Sequence, residues 1–151
     1  MNEISLINHA KGAIGLRLLG LGPKLKPTNA LNKLQRLLHQ NAFWAKSRSI
    51  NDIKKSLANS DVIVSLWVGD EIVGFGRGLT DGIYRGVLWD IVIDQNYQGK
   101  GFGTLILKNL LSSKKIRNIK KLYLMTTNQK SFYSKFDFKE VTSQDLLIRE
   151  I

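Results

Sequence analysis

The chain has 151 residues, 43% hydrophobic and 23% charged, a balance ordinary for a globular domain long enough to bury a core. It holds no cysteine, which excludes a disulfide framework, a thiolate metal site and a thiol nucleophile. Its net charge of +11 is uneven: between Ile4 and Ser60 only Asp52 is acidic, against ten lysines and arginines. Such a field attracts polyanions, whether nucleotide cofactors, nucleic acid, acidic proteins or anionic surfaces, although a solubilising surface explains it equally well. No apolar run approaches the roughly 20 residues that span a bilayer. Met1 to Leu6 lacks a basic segment before an apolar one, so no secretory signal is expected, and a reducing cytoplasm or organelle stroma fits.

Residues 1–27 read as an N-terminal strand or arm, in which glycines and prolines punctuate a short apolar stretch from Ile14 to Leu21. Residues 28–151 read as one domain. Thr28 is placed to cap a helix whose Leu31, Leu34 and Leu38 recur at helical spacing. Ser49, with Asp52 three residues on, resembles a capping box for a second helix that puts Ile50, Ile53 and Leu57 on one face. The β-branched and aromatic run Val62 to Val68, the turn Gly69-Asp70 and the run Glu71 to Gly76 form a hairpin signal. Asp81-Gly82 turns the chain into a strand from about Gly86 to Asp94. A helix to about Ser112, a strand over Lys121 to Thr126, a short helix over Gln129 to Phe136 and a final strand over Leu146 to Glu150 complete the order. The class is α+β with a mixed, mostly antiparallel sheet.

Gln98-Gly99-Lys100-Gly101-Phe102-Gly103 lies between the apolar strand ending near Asp94 and the helix opening near Thr104. Glycines let a backbone approach a phosphate, and free N–H groups at a helix start point at it, aided by the helix dipole. A P-loop is excluded, because Gly101 follows Gly99-Lys100 and Asp94 holds the earlier glycine position. The dinucleotide fingerprint is excluded by the G-x-G-x-G spacing after a hairpin meander.

The pattern Q/R-x-x-G-x-G/A, met by Gln98, Gly101 and Gly103, resembles the acyl-CoA signature of the GNAT superfamily of N-acetyltransferases. Phe132-Tyr133-Ser134-Lys135-Phe136-Asp137-Phe138 is similar to that family's F-Y-x-K-x-G-F segment. Further likenesses, among them Val64-Ser65-Leu66-Trp67 and Leu88 to Asp94, resemble the cyanobacterial and plastid branch, which in plants includes serotonin N-acetyltransferases, some also acetylating protein lysines. The resemblance covers roughly residues 30 to 140. Two positions depart from it. Asp137 stands where the segment has glycine, and Thr126 where an acidic residue is expected.

The resemblance implies a GNAT fold, with helices on both faces of the sheet and a splayed central strand pair. It implies acetyl-CoA as co-substrate and no metal. The pantetheine arm would pair with the backbone of Ile91, Val92 and Ile93. The pyrophosphate would sit on N–H groups of Gln98, Gly99, Lys100, Gly101, Phe102, Gly103 and Thr104, and Asn128 joins the cofactor set. Transfer would be direct, from a ternary complex to a primary amine. Ile91 would supply an N–H to the reacting oxygen, and Tyr133 would be the general acid. Asp90, a carboxylate in an apolar run, is either the acceptor of the amine proton through water or a salt-bridge partner.

Tyr84, Trp89 and Phe75 are candidates for an aryl-amine pocket, with core packing the commoner role of strand aromatics. His9 and His39 have no partnering motif and read as structural or surface histidines. Lys114, Lys115, Arg117, Lys120 and Lys121 complement the end of the cofactor helix or reach the 3′-phosphate of CoA. Two other function classes stay open. One is a basic module binding RNA or an acidic protein, although no nucleic-acid signature is present. The other is an acyl-CoA sensor without turnover. An acidic protein partner fits the charge, a membrane partner is not expected, and a monomer or a homodimer is compatible with the sequence.

Overall fold

The computed structural model describes residues 2–9, 23 and 28–151. Five strands, β1 (Ile4–His9), β2 (Val62–Val68), β3 (Glu71–Thr80), β4 (Arg85–Ile93) and β5 (Lys121–Tyr123), form one sheet in the order β1-β2-β3-β4-β5. The β1–β2, β2–β3 and β3–β4 pairs are antiparallel, and β5 joins β4 in parallel. Helices α1 (Ala30–Asn41) and α2 (Ile50–Ala58) cover one face; α3 (Phe102–Ser112) covers the other, with the short α4 (Lys130–Ser134) beside it. This is the expected α+β arrangement with helices on both faces.

Strand periodicity divides the core in two. On β2, Ile63 and Trp67 pack with Leu34, Leu38, Ile53 and Leu57 of α1 and α2. Val62, Val64 and Leu66 point the other way and pack with Ile106, Leu107 and Leu110 of α3. Alternate glycines of β3 let α3 sit close to the sheet. A Cβ on Gly74 would lie 2.6 Å from Ile106 Cδ1, and one on Gly76 would lie 3.0 Å from Leu110 Cδ1. The edge strand β1 is pinned by a buried polar cluster, in which His9 Nε2 lies 2.8 Å from Ser65 Oγ and Trp67 Nε1 donates to the same oxygen at 2.9 Å. His9 is therefore structural, as is His39, whose Nδ1 accepts from the Ser47 N–H at 3.1 Å.

Ser49 caps α2, its hydroxyl accepting from the Asp52 N–H at 3.1 Å. The cap of α1 differs from expectation. The chain enters α1 through Asn29 in the left-handed region (φ 56), so Thr28 stands one residue too early to cap, and its buried hydroxyl has no partner among the described residues. The first strand lies at Ile4–His9, whereas Ile14 to Leu21 lie outside the described residues. β3 runs on past Gly76 to Thr80, and the next turn is built on Asp81, whose carboxylate accepts from the N–H groups of Ile83, Tyr84 and Arg85.

The largest correction concerns the end of the chain. No strand forms over Leu146 to Glu150, and Leu146, Leu147 and Ile148 are more than three-quarters exposed. β-propensity expresses itself only against a partner edge. The neighbouring edge is short, because β5 stops at Tyr123 rather than Thr126. The helix after it is also shorter than expected, spanning Lys130–Ser134. It closes through Asp137, which takes the left-handed conformation (φ 66) that the family's glycine would supply, and the Phe138 N–H reaches back to the Tyr133 carbonyl at 3.3 Å.

Candidate active site

The site begins with a break in β4. Phe75 pairs with Val92 and Arg77 with Trp89, so Asp90 and Ile91 together face one residue of β3, Gly76. This one-residue bulge inverts the strand's alternation. Leu88 packs on the α3 face and Val92 on the α1–α2 face, positions that would share a face in a regular strand. On its other side β4 pairs with β5 only at Arg85, Gly86 and Val87. β5 ends at Tyr123, so the remainder of β4 has no ladder on that side, the backbone around Ile91, Val92 and Ile93 included.

Asp90 holds the bulge together. It is a non-glycine residue at φ 53 and is 6% exposed. Its Oδ2 accepts from Arg48 Nη1 and Arg77 Nε, both at 2.8 Å, and its Oδ1 accepts from Trp44 Nε1 at 3.0 Å. Burial alone would raise its pKa, but the hydrogen bonds and charges of Arg48 and Arg77 outweigh it and hold the carboxyl below its ordinary value. Of the two readings of this residue, the ion pair is what the geometry displays; a carboxylate with two guanidiniums on one oxygen is a weak base. Arg77 also donates to Ser60 Oγ at 3.3 Å.

After β4, a single 3₁₀ turn (Gln95–Tyr97), capped by Asp94 Oδ1 on the Asn96 N–H, leads into the glycine loop. Gly99 (φ 76) and Gly101 (φ 81) are left-handed, and a Cβ on either would meet nothing within 4 Å. These glycines are required by backbone conformation in open space, the condition for a ligand to approach the chain. Gly101 caps α3 without a side-chain bond, so the first-turn N–H groups of Phe102, Gly103 and Thr104 face outward uncapped. An acyl-CoA pyrophosphate fits such a set of donors at the positive end of a helix.

The flanking side chains brace the loop. Gln98 Nε2 donates to the Ile93 carbonyl at 3.3 Å, Lys100 Nζ lies 5.3 Å from the Tyr97 ring centroid, and Tyr97 stacks on the buried Phe102. Gly103 has a different reason to be glycine. A Cβ there would lie 3.3 Å from the Phe132 ring, so its hydrogen lets α3 and α4 close together.

Tyr133 is half-buried on α4, edge-on to Phe132 and Phe138. Burial pushes its phenol above the ordinary value, which keeps it protonated at neutral pH, and its hydroxyl has no hydrogen-bond partner among the described residues. Asn128 is exposed in the turn before α4, where the Thr126 hydroxyl accepts from the Gln129 N–H at 3.1 Å. Thr126 thus shapes that turn.

The aryl-amine candidates separate. Phe75 is buried in the α1–α2 core. Tyr84 sits on an exposed turn under Lys120 Nζ, at 5.2 Å. Trp89 is partly exposed beside the bulge. Sequence reasoning missed Trp44, Arg48 and Arg77. For Arg77 a signal existed, since a charge between Gly76 and Gly78 in a buried strand needs an opposite charge across the hairpin, and Asp90 is one residue from its register partner. Trp44 and Arg48 lie between α1 and α2, where no periodicity points to a partner. No group of residues able to hold a metal ion occurs among the described residues.

The acetyltransferase (GNAT) domain family matches residues 59–140, more than half of the chain. The Pyropia yezoensis protein named uncharacterized N-acetyltransferase ycf52 is 31% identical over 100 residues, covering 63% of this chain and 57% of that protein. The Glycine max histone acetyltransferase TAP1 is 26% identical over 108 residues, covering 64% and 46%. The chain therefore spans about half the length of the curated relatives it matches. A Xanthomonas campestris structure described as a GNAT-family acetyltransferase superposes with a TM-score of 0.74 at 15% identity, covering 97% of this chain and 94% of that one, a likeness of fold.

Proposed function

The chain belongs to the GNAT acetyltransferase family, and from that membership we propose that it transfers the acetyl group of acetyl-CoA to a primary amine, by direct attack in a ternary complex. The observation that carries the reading is the conjunction of two open backbone surfaces. The bulged edge of β4 at Ile91 to Ile93 leads directly into the uncapped, left-handed glycine cradle of Gly99 to Thr104.

Acetyl-CoA supplies an acetyl group activated as a thioester, with a thiol as the leaving group. The chain's residues do the rest. The cradle N–H groups hold the pyrophosphate, and the β4 edge aligns the pantetheine arm as an added strand. Ile91, displaced from the β3 ladder by the bulge, donates its N–H to the thioester oxygen as the neutral amine attacks the carbonyl carbon. The C–N bond forms, the C–S bond breaks, and the Tyr133 hydroxyl gives its proton to the departing sulfur. The amine's proton leaves to water, and water returns one to the Tyr133 phenolate. Asp90 acts as a positioning residue. Its bonds to Arg48, Arg77 and Trp44 fix the bulge that aims Ile91.

Peptide lysine or a protein N-terminus is the acceptor we favour, on the name of the soybean relative and on the open, basic surface around α1 and α2. An aryl-alkylamine such as serotonin is the second reading, favoured by the partly exposed Trp44 and Trp89 near the bulge. Chloroplastic naming among the plant relatives makes a plastid stroma the proposed setting, with cytoplasm the alternative. The test is an acetyl-CoA consumption screen over polyamines, aryl-alkylamines, aminoglycosides and lysine peptides, repeated with Tyr133→Phe. Turnover with at least one class is expected. No consumption with any amine sinks the reading, and full activity of Tyr133→Phe at all pH values removes that residue from its role.

A further inference from the structure

A groove of about 680 Å³ runs between α1 and the loop that enters α2. Asn29, Gln35, Arg36, His39, Ser47 and Arg48 line it, and no acidic residue does. Arg48 carries an unspent share of charge. Two guanidiniums, Arg48 and Arg77, converge on the single Asp90 carboxylate, leaving the cluster with one net positive charge. Arg48 commits only Nη1 to Asp90, and its side chain is 31% exposed. Arg36 is exposed and has no ion pair among the described residues. His39 accepts the Ser47 N–H at Nδ1, so in its neutral form Nε2 carries the proton and is a further donor.

Backbone strain marks the same place. Of the four non-glycine residues at positive φ among the described residues, Asn29 (φ 56) and Ser47 (φ 62) line the groove and Asp90 is bonded to its Arg48. Such residues cluster where the surrounding structure holds a particular shape for a ligand. The groove is held from within as well, since Gln35 Nε2 donates to the Arg48 carbonyl at 2.9 Å.

From this arrangement we infer that the groove binds an acidic peptide segment of the acceptor, its carboxylates taken by Arg36 and by the free edge of the Arg48 guanidinium. Guanidiniums pair with carboxylates through planar, two-pronged hydrogen bonds, and a groove with donors and no acid selects against basic or neutral segments. Arg48 lines the groove and its guanidinium reaches Asp90, the residue before Ile91, so the groove and the proposed reaction centre share one side chain. The inference rests on the acetyltransferase reading for its purpose, though binding itself does not require turnover.

Fluorescence anisotropy with a labelled hexaglutamate peptide tests the binding without chemistry. Wild-type protein should bind it, and Arg36→Glu should weaken binding about tenfold. Lys139→Glu, the same change of charge on an exposed residue after α4, should weaken it less than about twofold, the scale of a surface charge. Equal losses in the two variants, or no binding by wild type, overturn the proposal. A second arm compares acetyl transfer to a lysine peptide flanked by glutamates with one flanked by glutamines. A ratio of kcat/KM near tenfold in favour of glutamate, lost in Arg36→Glu, supports it. Equal rates on both peptides overturn the groove's role and leave the acetyltransferase reading standing. Hexaglutamate binding with no transfer to any amine does the reverse.

Discussion

The glycine loop and the α1–α2 groove both use left-handed backbone, but with different residues. In the loop the positions are Gly99 and Gly101, with open space where a Cβ would stand. At the groove and the bulge beside it they are Asn29, Ser47 and Asp90. The difference follows from which atoms meet the ligand. In the glycine loop the backbone N–H groups are the proposed binding surface, where the absence of side chains leaves the approach open and the conformation costs little. Around the groove the side chains carry the charge, so a strain of about 1–2 kcal/mol at each residue is tolerated and offset by local bonds. Asp90 is held by Arg48, Arg77 and Trp44, and Asn29 accepts from the Asn32 amide.

The sharpest way to break this comparison is Asp90→Gly beside Asp90→Ala. If the side-chain bonds outweigh the strain, glycine will not rescue. Both variants leave two guanidiniums facing no countercharge and should lose about 3 kcal/mol in urea unfolding. A stabilised Asp90→Gly would mean that strain dominates. Asp90→Asn adds a pH dimension. Because the folded pKa is depressed, the carboxylate's contribution is present above the unfolded value and is lost as pH falls through the folded one. Wild type should therefore exceed Asp90→Asn in stability at neutral pH, and the two should converge in acid.

Next in size is Tyr133→Phe, expected to lower kcat about 100-fold with little change in the KM for acetyl-CoA. Gly101→Ala should follow. A Cβ at φ 81 costs about 1–2 kcal/mol, and it enters the space proposed for the pyrophosphate, so acetyl-CoA affinity should fall while Asp90's network stays intact. The smallest effect should come from Asp137→Gly. Asp137 is left-handed, exposed and without a side-chain hydrogen bond among the described residues, so glycine there should add up to about 1 kcal/mol to stability. That value measures the strain of such a residue when nothing holds it, against which Asp90→Gly can be read.

The glycine loop and the start of α2 were legible in the sequence because their signals are local. The spacing of Gln98, Gly101 and Gly103, the strand before it and the cap of α2 at Ser49 all lie within a few residues of what they determine. The hairpin turns at Gly69 and Gly82 were legible for the same reason. The cluster around Asp90 was not. Arg48 meets Asp90 across 42 residues and Trp44 across 46, and only the packing of α1 and α2 on the sheet brings them together. Gly74 and Gly76 looked like ordinary hairpin glycines, and their function as a seat for α3 depends on a helix that starts at Phe102. The strand expected over Leu146 to Glu150 failed in the same way, since local propensity predicted an element for which β5 offers no edge.

The central claim is that the open glycine cradle and the bulged edge of β4 together bind acetyl-CoA. Calorimetric titration of acetyl-CoA into the wild-type protein and into Gly101→Ala tests it most directly. The account predicts saturable, one-to-one binding to the wild type and clearly weaker binding to a Gly101→Ala variant that remains folded. Absence of any binding heat from the wild-type protein, or equal affinity in the two, would contradict it.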